Sequence, residues 1–184
     1  MPDWAHSPLH RLGSSGAYII TASTLDKVHV FNSRAKLDIL QSKLFEAADH
    51  NSARLQAWAI FPNHYHFIAS FDTAAPLAAM LHELHANAAR LVNQADATPH
   101  RRVWFQYWES HITFQRSYFA RLQYVHRNAV HHGVVREATN YPWCSAGWFR
   151  RSAARALQRT VGDFRSVKLG IEDDFEVMSV VGEQ

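Results

Sequence analysis

Asn63-His64-Tyr65-His66-Phe67-Ile68 places two histidines one residue apart in a run rich in aromatic and aliphatic side chains. Residues 57–61 before it and 65–71 within it are each bounded by turn residues, and each reads as a strand. Pro62-Asn63 is then the turn of a hairpin. Residues i and i+2 of a strand point to one face. His64, His66, Ile68 and Ser70 therefore project together, while Tyr65, Phe67, Ala69 and Phe71 supply a core face. Two imidazoles held side by side on a strand make half of a metal site. In a chain with 13 histidines the same pair also arises as surface or packing histidines. Its meaning depends on a second stretch, Tyr124-Val125-His126-Arg127-Asn128.

Working outward from the hairpin, residues 17–22 read as a first strand and 28–31 as a short extended piece after a turn at 25–27. Asn32 or Ser33 caps a helix running to about Ala48, with Leu37, Leu40, Leu44 and Ala48 at helical spacing. Beyond the hairpin, Asp72-Thr73 caps a second helix with Pro76 in its first turn. Leu77, Leu81, Leu84, Ala88 and Leu91 are its apolar stripe. His82 and His85 in that helix lack zinc-protease spacing and read as surface or packing residues. A polar loop spans 94–102, and residues 103–108 read as the fourth strand. The order βαββαβ is the split βαβ of a ferredoxin-like antiparallel sheet, an α+β fold with both helices on one sheet face. The His64/His66 face is left for something else to cover.

A third helix, about 117–130, is stopped by Gly133. Tyr118, Leu122, Val125 and Ala129 form its apolar stripe. Tyr124 and Asn128, four residues apart, share a different face, flanked by Arg121 and Arg127. Tyr141-Pro142-Trp143-Cys144-Ser145 follows, then a C-terminal basic helix along which Arg151, Arg155 and Arg159 recur at i, i+4 and i+8. The expected division is an N-terminal extension over 1–16, one domain over 17–150, and the basic helix with an acidic tail over 151–184.

Net charge is only +3 over 184 residues, but it is unevenly spread. Residues 97–165 hold 11 arginines, no lysine and three acids, whereas the segment from Ser166 onward holds five acids and one lysine. Guanidinium groups bind phosphate bidentately and stack on bases, which suits a nucleic-acid surface; on charge alone a solvated basic face stands equally beside it. Asp173-Asp174-Phe175-Glu176 combines carboxylates with an aromatic ring. Such a tail can fold back over a DNA groove as a mimic of the strand, or simply solubilise the chain. Cys144 is the only cysteine, which excludes an internal disulfide and the common cysteine-based zinc frameworks and fits a reducing cytoplasm. No apolar run reaches 18 residues and no signal peptide is visible, so neither a membrane partner nor export is expected.

If the third helix docks on the open sheet face, His64, His66 and the Asn128 amide oxygen bind one divalent metal. That ligand set suits Mg²⁺ or Mn²⁺. Tyr124, one turn before Asn128, then lies beside a phosphate held there. A tyrosine nucleophile forms a covalent intermediate that keeps the energy of the broken phosphodiester, which suits strand transfer better than hydrolysis.

These residues resemble those of the single-tyrosine HUH endonucleases, in the branch of REP-associated tyrosine transposases related to IS200/IS605 transposases. His64-Tyr65-His66 is similar to the family's histidine–bulky apolar–histidine motif. Tyr124-Val-His-Arg-Asn128-Ala-Val-His-His-Gly133 is similar to its tyrosine helix, and Tyr141-Pro-Trp143-Cys-Ser145 to the short block after it. The resemblance spans roughly residues 10–150. It implies that Tyr124 forms a 5′-phosphotyrosine with single-stranded DNA, that His64 and His66 bind metal, and that Asn128 stands where the family has its third ligand. It also implies a palindromic repeat folded as a hairpin as target, and a bacterial, nucleoid-associated protein acting as monomer or homodimer without a small-molecule cofactor. Arg121, Arg127, Arg151, Arg155 and Arg159 are the candidate DNA contacts. The chain departs from the pattern at Ala129, where proline is usual, at His131-His132, where a basic and a small residue are common, and at Cys144, where serine is usual. Two other readings stand beside this one: a hairpin-binding regulator with weak or lost cleavage, and an RNA-binding ferredoxin-like domain. The latter requires exposed aromatics where this sheet carries histidines.

Overall fold

The structure, a computed structural model, describes residues 16–72, 76–164, 171 and 173–180. Nearly all of the expected 1–16 extension and Thr73 of the expected helix cap lie outside these residues. Four strands, β1 (Gly16–Thr24), β2 (Arg54–Ile60), β3 (His64–Phe71) and β4 (Trp104–Ile112), form one sheet in the order β2-β3-β1-β4. All three pairings are antiparallel. Helices α1 (Arg34–His50) and α2 (Pro76–Ala95) pack on each other and cover one sheet face. This is the ferredoxin-like arrangement that the order of elements implies.

The sequence explains the layers. Ser33 caps α1 by accepting from Lys36 N, and Leu37, Leu40 and Leu44 of its stripe are buried. Tyr65, Phe67, Ala69 and Phe71 of β3 face α1 and α2, and Tyr65 Oη pairs with His85 Nε2 of α2 at 2.7 Å. His85 also stacks on Trp104 at 4.4 Å, so it is a packing residue. Every residue of β3 is buried, because both faces of this inner strand are covered. The cover on the second face is α3 (Gln115–His131), which packs on β2 and β3. Its C-terminus turns at Gly133, whose φ of +67° lets Val134 N bond back to Ala129 O.

The sheet's β2 edge is closed by the block after α3. Ala59 and Cys144 form an isolated bridge, Ser145 Oγ accepts from Trp58 N at 2.9 Å, and Tyr141 Oη donates to Ile60 O at 2.8 Å. Trp143, fully buried, donates from Nε1 to Asp38 Oδ1 of α1 at 2.8 Å. An exposed strand edge is thereby removed. Cys144 is buried, and burial raises its thiol to about 12, so it is an inert packing group.

The short piece at residues 28–31 joins no sheet: Phe31 N bonds Pro62 O and its buried ring packs on Trp104. One expectation is corrected. The single basic helix is two pieces, α4 (Ala146–Ser152) and α5 (Arg155–Asp163), separated by extended Ala153 and Ala154. Alanines favour helix, so the break is tertiary. It turns α5 so that Val161 is buried and Phe164 reaches Phe119 of α3. Arg151 therefore does not share a helix with Arg155 and Arg159.

Candidate active site

β3 points His64 and His66 at the underside of α3, and α3 points Tyr124 and Asn128 back at them. His64 is 1% exposed, and His66 and Asn128 are fully buried. Tyr124 Oη lies 3.2 Å from His66 Nε2. This burial follows from the strand period on one side and the i, i+4 helical period on the other.

Neighbours fix the rings. Asn63 Nδ2 donates to Glu176 O at 2.9 Å, so its Oδ1 is the acceptor for His64 Nδ1–H at 2.9 Å. The His64 Nε2 lone pair is then turned into the site. Thr21 Oγ1 holds His66 Nδ1 at 2.7 Å and leaves Nε2 facing the same space. Orienting partners of this kind accompany metal-binding histidines. Burial, then the proximity of the other histidines, lowers the pKa of His64 well below its ordinary value, and burial lowers that of His66. Both rings are therefore neutral at pH 7, the form that binds a metal.

A segment that local pattern leaves unplaced completes the site. Residues 173–180 have no regular secondary structure. Asp173, its side chain 8% exposed, accepts from Tyr124 Oη at 2.6 Å and from Asn128 Nδ2 at 2.8 Å. Its Oδ1 lies 3.7 Å from His66 Nε2, 3.9 Å from His64 Nε2 and 2.9 Å from His132 Nε2. Phe175 stacks on His64 at 4.1 Å and 13°. It extends an aromatic column that runs from Tyr141 through Phe61. Lys27 sits over the Phe175 ring and pairs with Asp174 at 2.7 Å. His29 Nε2 bonds Glu176 O at 2.8 Å.

The electrostatics follow from this seat. Burial works against the Asp173 charge, but the neighbouring His132 and His66 rings and the Tyr124 hydrogen bond hold its carboxyl far below the usual range. Burial, the Asp173 charge and the Asp173 hydrogen bond together push the Tyr124 phenol far above its ordinary value. Tyr124 is thus held protonated.

A divalent metal fits the donor set. His64, His66 and Asp173 each offer a ligand atom within 4.8 Å of the others. His64 Nε2, Asn128 Oδ1 and Asp173 Oδ1 are buried and have no hydrogen-bond partner among the described residues. Buried polar atoms are rarely left so, and a cation would satisfy all three.

The arginines are placed differently. Arg121 is partly buried, with a guanidinium hydrogen bond to Ser117 Oγ, and burial lowers its pKa. Arg127, Arg151, Arg155 and Arg159 are exposed. The structure brings Tyr124, His64, His66 and Asn128 together. Asp173 and His132 carry no periodic signal, and the only sequence hints were the carboxylate cluster at 172–176 and the departure at His132.

The family model described as "Transposase IS200 like" matches residues 14–130. Among solved structures, a REP-associated tyrosine transposase bound to a REP hairpin superposes with TM-score 0.64 at 16% identity, covering 99% of this chain and 100% of that one. A Deinococcus radiodurans protein described as a "putative transposase" superposes with TM-score 0.47 at 16% identity, covering 65% and 95%. No curated protein matches the sequence.

Proposed function

The chain belongs to the IS200-like transposase family, and from that premise we propose that it cuts and rejoins single-stranded DNA at a hairpin, with Tyr124 as nucleophile. The carrying observation is the Tyr124 phenol set 3.2 Å from His66 beside the unpartnered His64 Nε2 and Asn128 Oδ1. In the reaction the phenolic oxygen bonds to phosphorus and the bond from phosphorus to the 3′ oxygen breaks. The phenol's proton is lost to solvent, and the leaving 3′ oxygen takes one up. The products are a 5′-phosphotyrosine and a free 3′-hydroxyl, and attack by a second 3′-hydroxyl reverses the step on a new strand. His64, His66 and Asn128 would hold Mn²⁺ or Mg²⁺, which offsets charge at the phosphate. Hairpin DNA is supported as the partner by the fold shared with the hairpin-bound protein. Arg121, Arg127, Arg151, Arg155 and Arg159 are assigned to its phosphates.

Asp173 favours a second element of this reading. Its carboxylate holds the nucleophile protonated and Phe175 covers His64, so the tail competes with substrate. A resting chain of this kind binds a hairpin as a regulator and cuts only when the tail lifts.

Tyr124→Phe tests the assignment, using a labelled DNA hairpin with a single-stranded flank. It is expected to abolish cleavage and the covalent adduct on a denaturing gel while leaving hairpin binding within about threefold, since one phenolic oxygen is removed and the phosphate contacts remain. Full cleavage by the variant would overturn the assignment.

A further inference from the structure

His132 stands at the C-terminal end of α3, held there by the turn at Gly133. It is 5% exposed on its side chain, and its ring lies 5.1 Å from that of His64 and 5.2 Å from that of Phe61. Its Nε2 reaches within 2.9 Å of Asp173 Oδ1. Both atoms are nevertheless left without a hydrogen bond among the described residues. A buried donor beside a buried carboxylate that does not use it marks a pocket shaped for a different anion.

The tenant supplies the clue to that anion. Asp173 offers two oxygens in one plane, and Tyr124 and Asn128 both bond to Oδ2. A tetrahedral phosphate carries oxygens outside any such plane, so a second oxygen can meet the His132 N–H while the first keeps the Asn128 amide. Two residues on, Phe175 fills a slot between the His64 face and the Lys27 ammonium, 5.1 Å from the ring centroid. An anion followed by a flat ring reproduces the two recognisable parts of a nucleotide. Aromatic or imidazole faces beneath a base, with a cation nearby, suit single-stranded DNA.

We propose that His132 is a phosphate ligand of the site: when Asp173 leaves, the His132 Nε2–H bonds a non-bridging oxygen of the strand's phosphate, and the neighbouring base takes the place of Phe175 on His64. The proposal rests on the single-stranded DNA reading above. It adds a residue that the sequence pattern treats as a departure.

The competing account is that His132 only clamps the tail. A double-mutant cycle on the full chain separates the two, with metal omitted so that no cleavage intervenes. The probe is a fluorescent 12-nucleotide oligothymidylate read by anisotropy. Asp173→Ala empties the pocket and is expected to bind the probe about tenfold more tightly than the parent chain. His132→Ala added to Asp173→Ala is expected to weaken binding about tenfold or more, as for a hydrogen bond to a charged group. His132→Gln, which keeps an N–H donor, is expected to recover part of that loss. A clamp predicts the reverse: His132→Ala alone tightens binding by freeing the tail, and it changes nothing once Asp173 is gone. Unchanged affinity in the Asp173→Ala background overturns the proposal.

A second measurement needs no change at His132. In ¹⁵N-histidine-labelled Asp173→Ala protein, adding the probe is expected to shift the His132 ring nitrogens. Shifts elsewhere with none at His132 overturn the proposal while leaving DNA binding intact. Failure of the Asp173→Ala chain to bind any single strand overturns both this proposal and the functional reading beneath it.

Discussion

His64 and His66 are each fixed through Nδ1 by a buried side-chain oxygen. Asn63 Oδ1 and Thr21 Oγ1 hold them, which turns both Nε2 atoms inward, while burial keeps the rings neutral. His64→Ala and His66→Ala should each abolish stoichiometric Mn²⁺ binding in titration calorimetry. Asn128→Ala should weaken it by about tenfold, since water replaces a neutral oxygen ligand more readily than an imidazole. Asn63→Ala should also weaken it, by about tenfold or more, although Asn63 is expected to touch no metal. Metal binding that persists at full strength in His64→Ala would contradict the ligand role.

At the scale of the element, the tail and the basic helices set how DNA meets this site. The segment 173–180 is held by Asp173, Phe175 and Glu176, and its seat is partly ionic. Deleting residues 170–184 should tighten hairpin binding by roughly tenfold at low salt and speed cleavage. An intramolecular competitor acts at high effective concentration, and salt screens its charges, so the gain should shrink as salt rises. Equal binding and cleavage by the two chains at low salt would show that the tail does not compete. The break at Ala153 and Ala154 changes the expectation for the arginines. Arg155 and Arg159 share α5, whereas Arg151 belongs to α4. Arg155→Ala with Arg159→Ala should reduce the slope of log affinity against log salt by about 0.7–0.9 for each phosphate that is no longer neutralised. If the slope is unchanged, the groove runs past Arg121 and Arg127 instead.

Across the whole molecule, two histidines outside the site, His126 buried and His85 largely so, tie stability to pH. His85 accepts from or donates to Tyr65 and stacks on Trp104, and His126 packs on Phe149. Burial lowers each from 6.5 to about 4. The unfolded chain binds these protons near the ordinary value and the folded chain does not. Their stabilising contribution is therefore fully present above the unfolded pKa and is lost as pH falls toward the folded one. Acidifying from pH 7 to pH 5 should cost roughly 1.5–2 kcal/mol for each. The urea midpoint should fall accordingly, and His126→Phe should flatten the dependence. A midpoint independent of pH over that range would contradict neutral burial.

What the sequence determined by itself was carried by the periods of β3 and α3. The alternation of β3 put His64 and His66 on one face, and the α3 spacing put Tyr124 and Asn128 on one face. The order of elements implied the sheet, because each signal lies within a few residues and each face must be buried against something. Tertiary structure decided the rest. It docked α3 over the histidines, laid Trp143-Cys144-Ser145 along the free edge of β2, broke a run of good helix formers at Ala153 so that Val161 could be buried, and placed Asp173 and His132 in the site. Those outcomes depend on contacts between residues far apart in the chain, as from Tyr124 to Asp173. A carboxylate seated 49 positions from its partner leaves no periodic trace, because it is held by the shape and charge of a pocket that exists only after the sheet and α3 have come together.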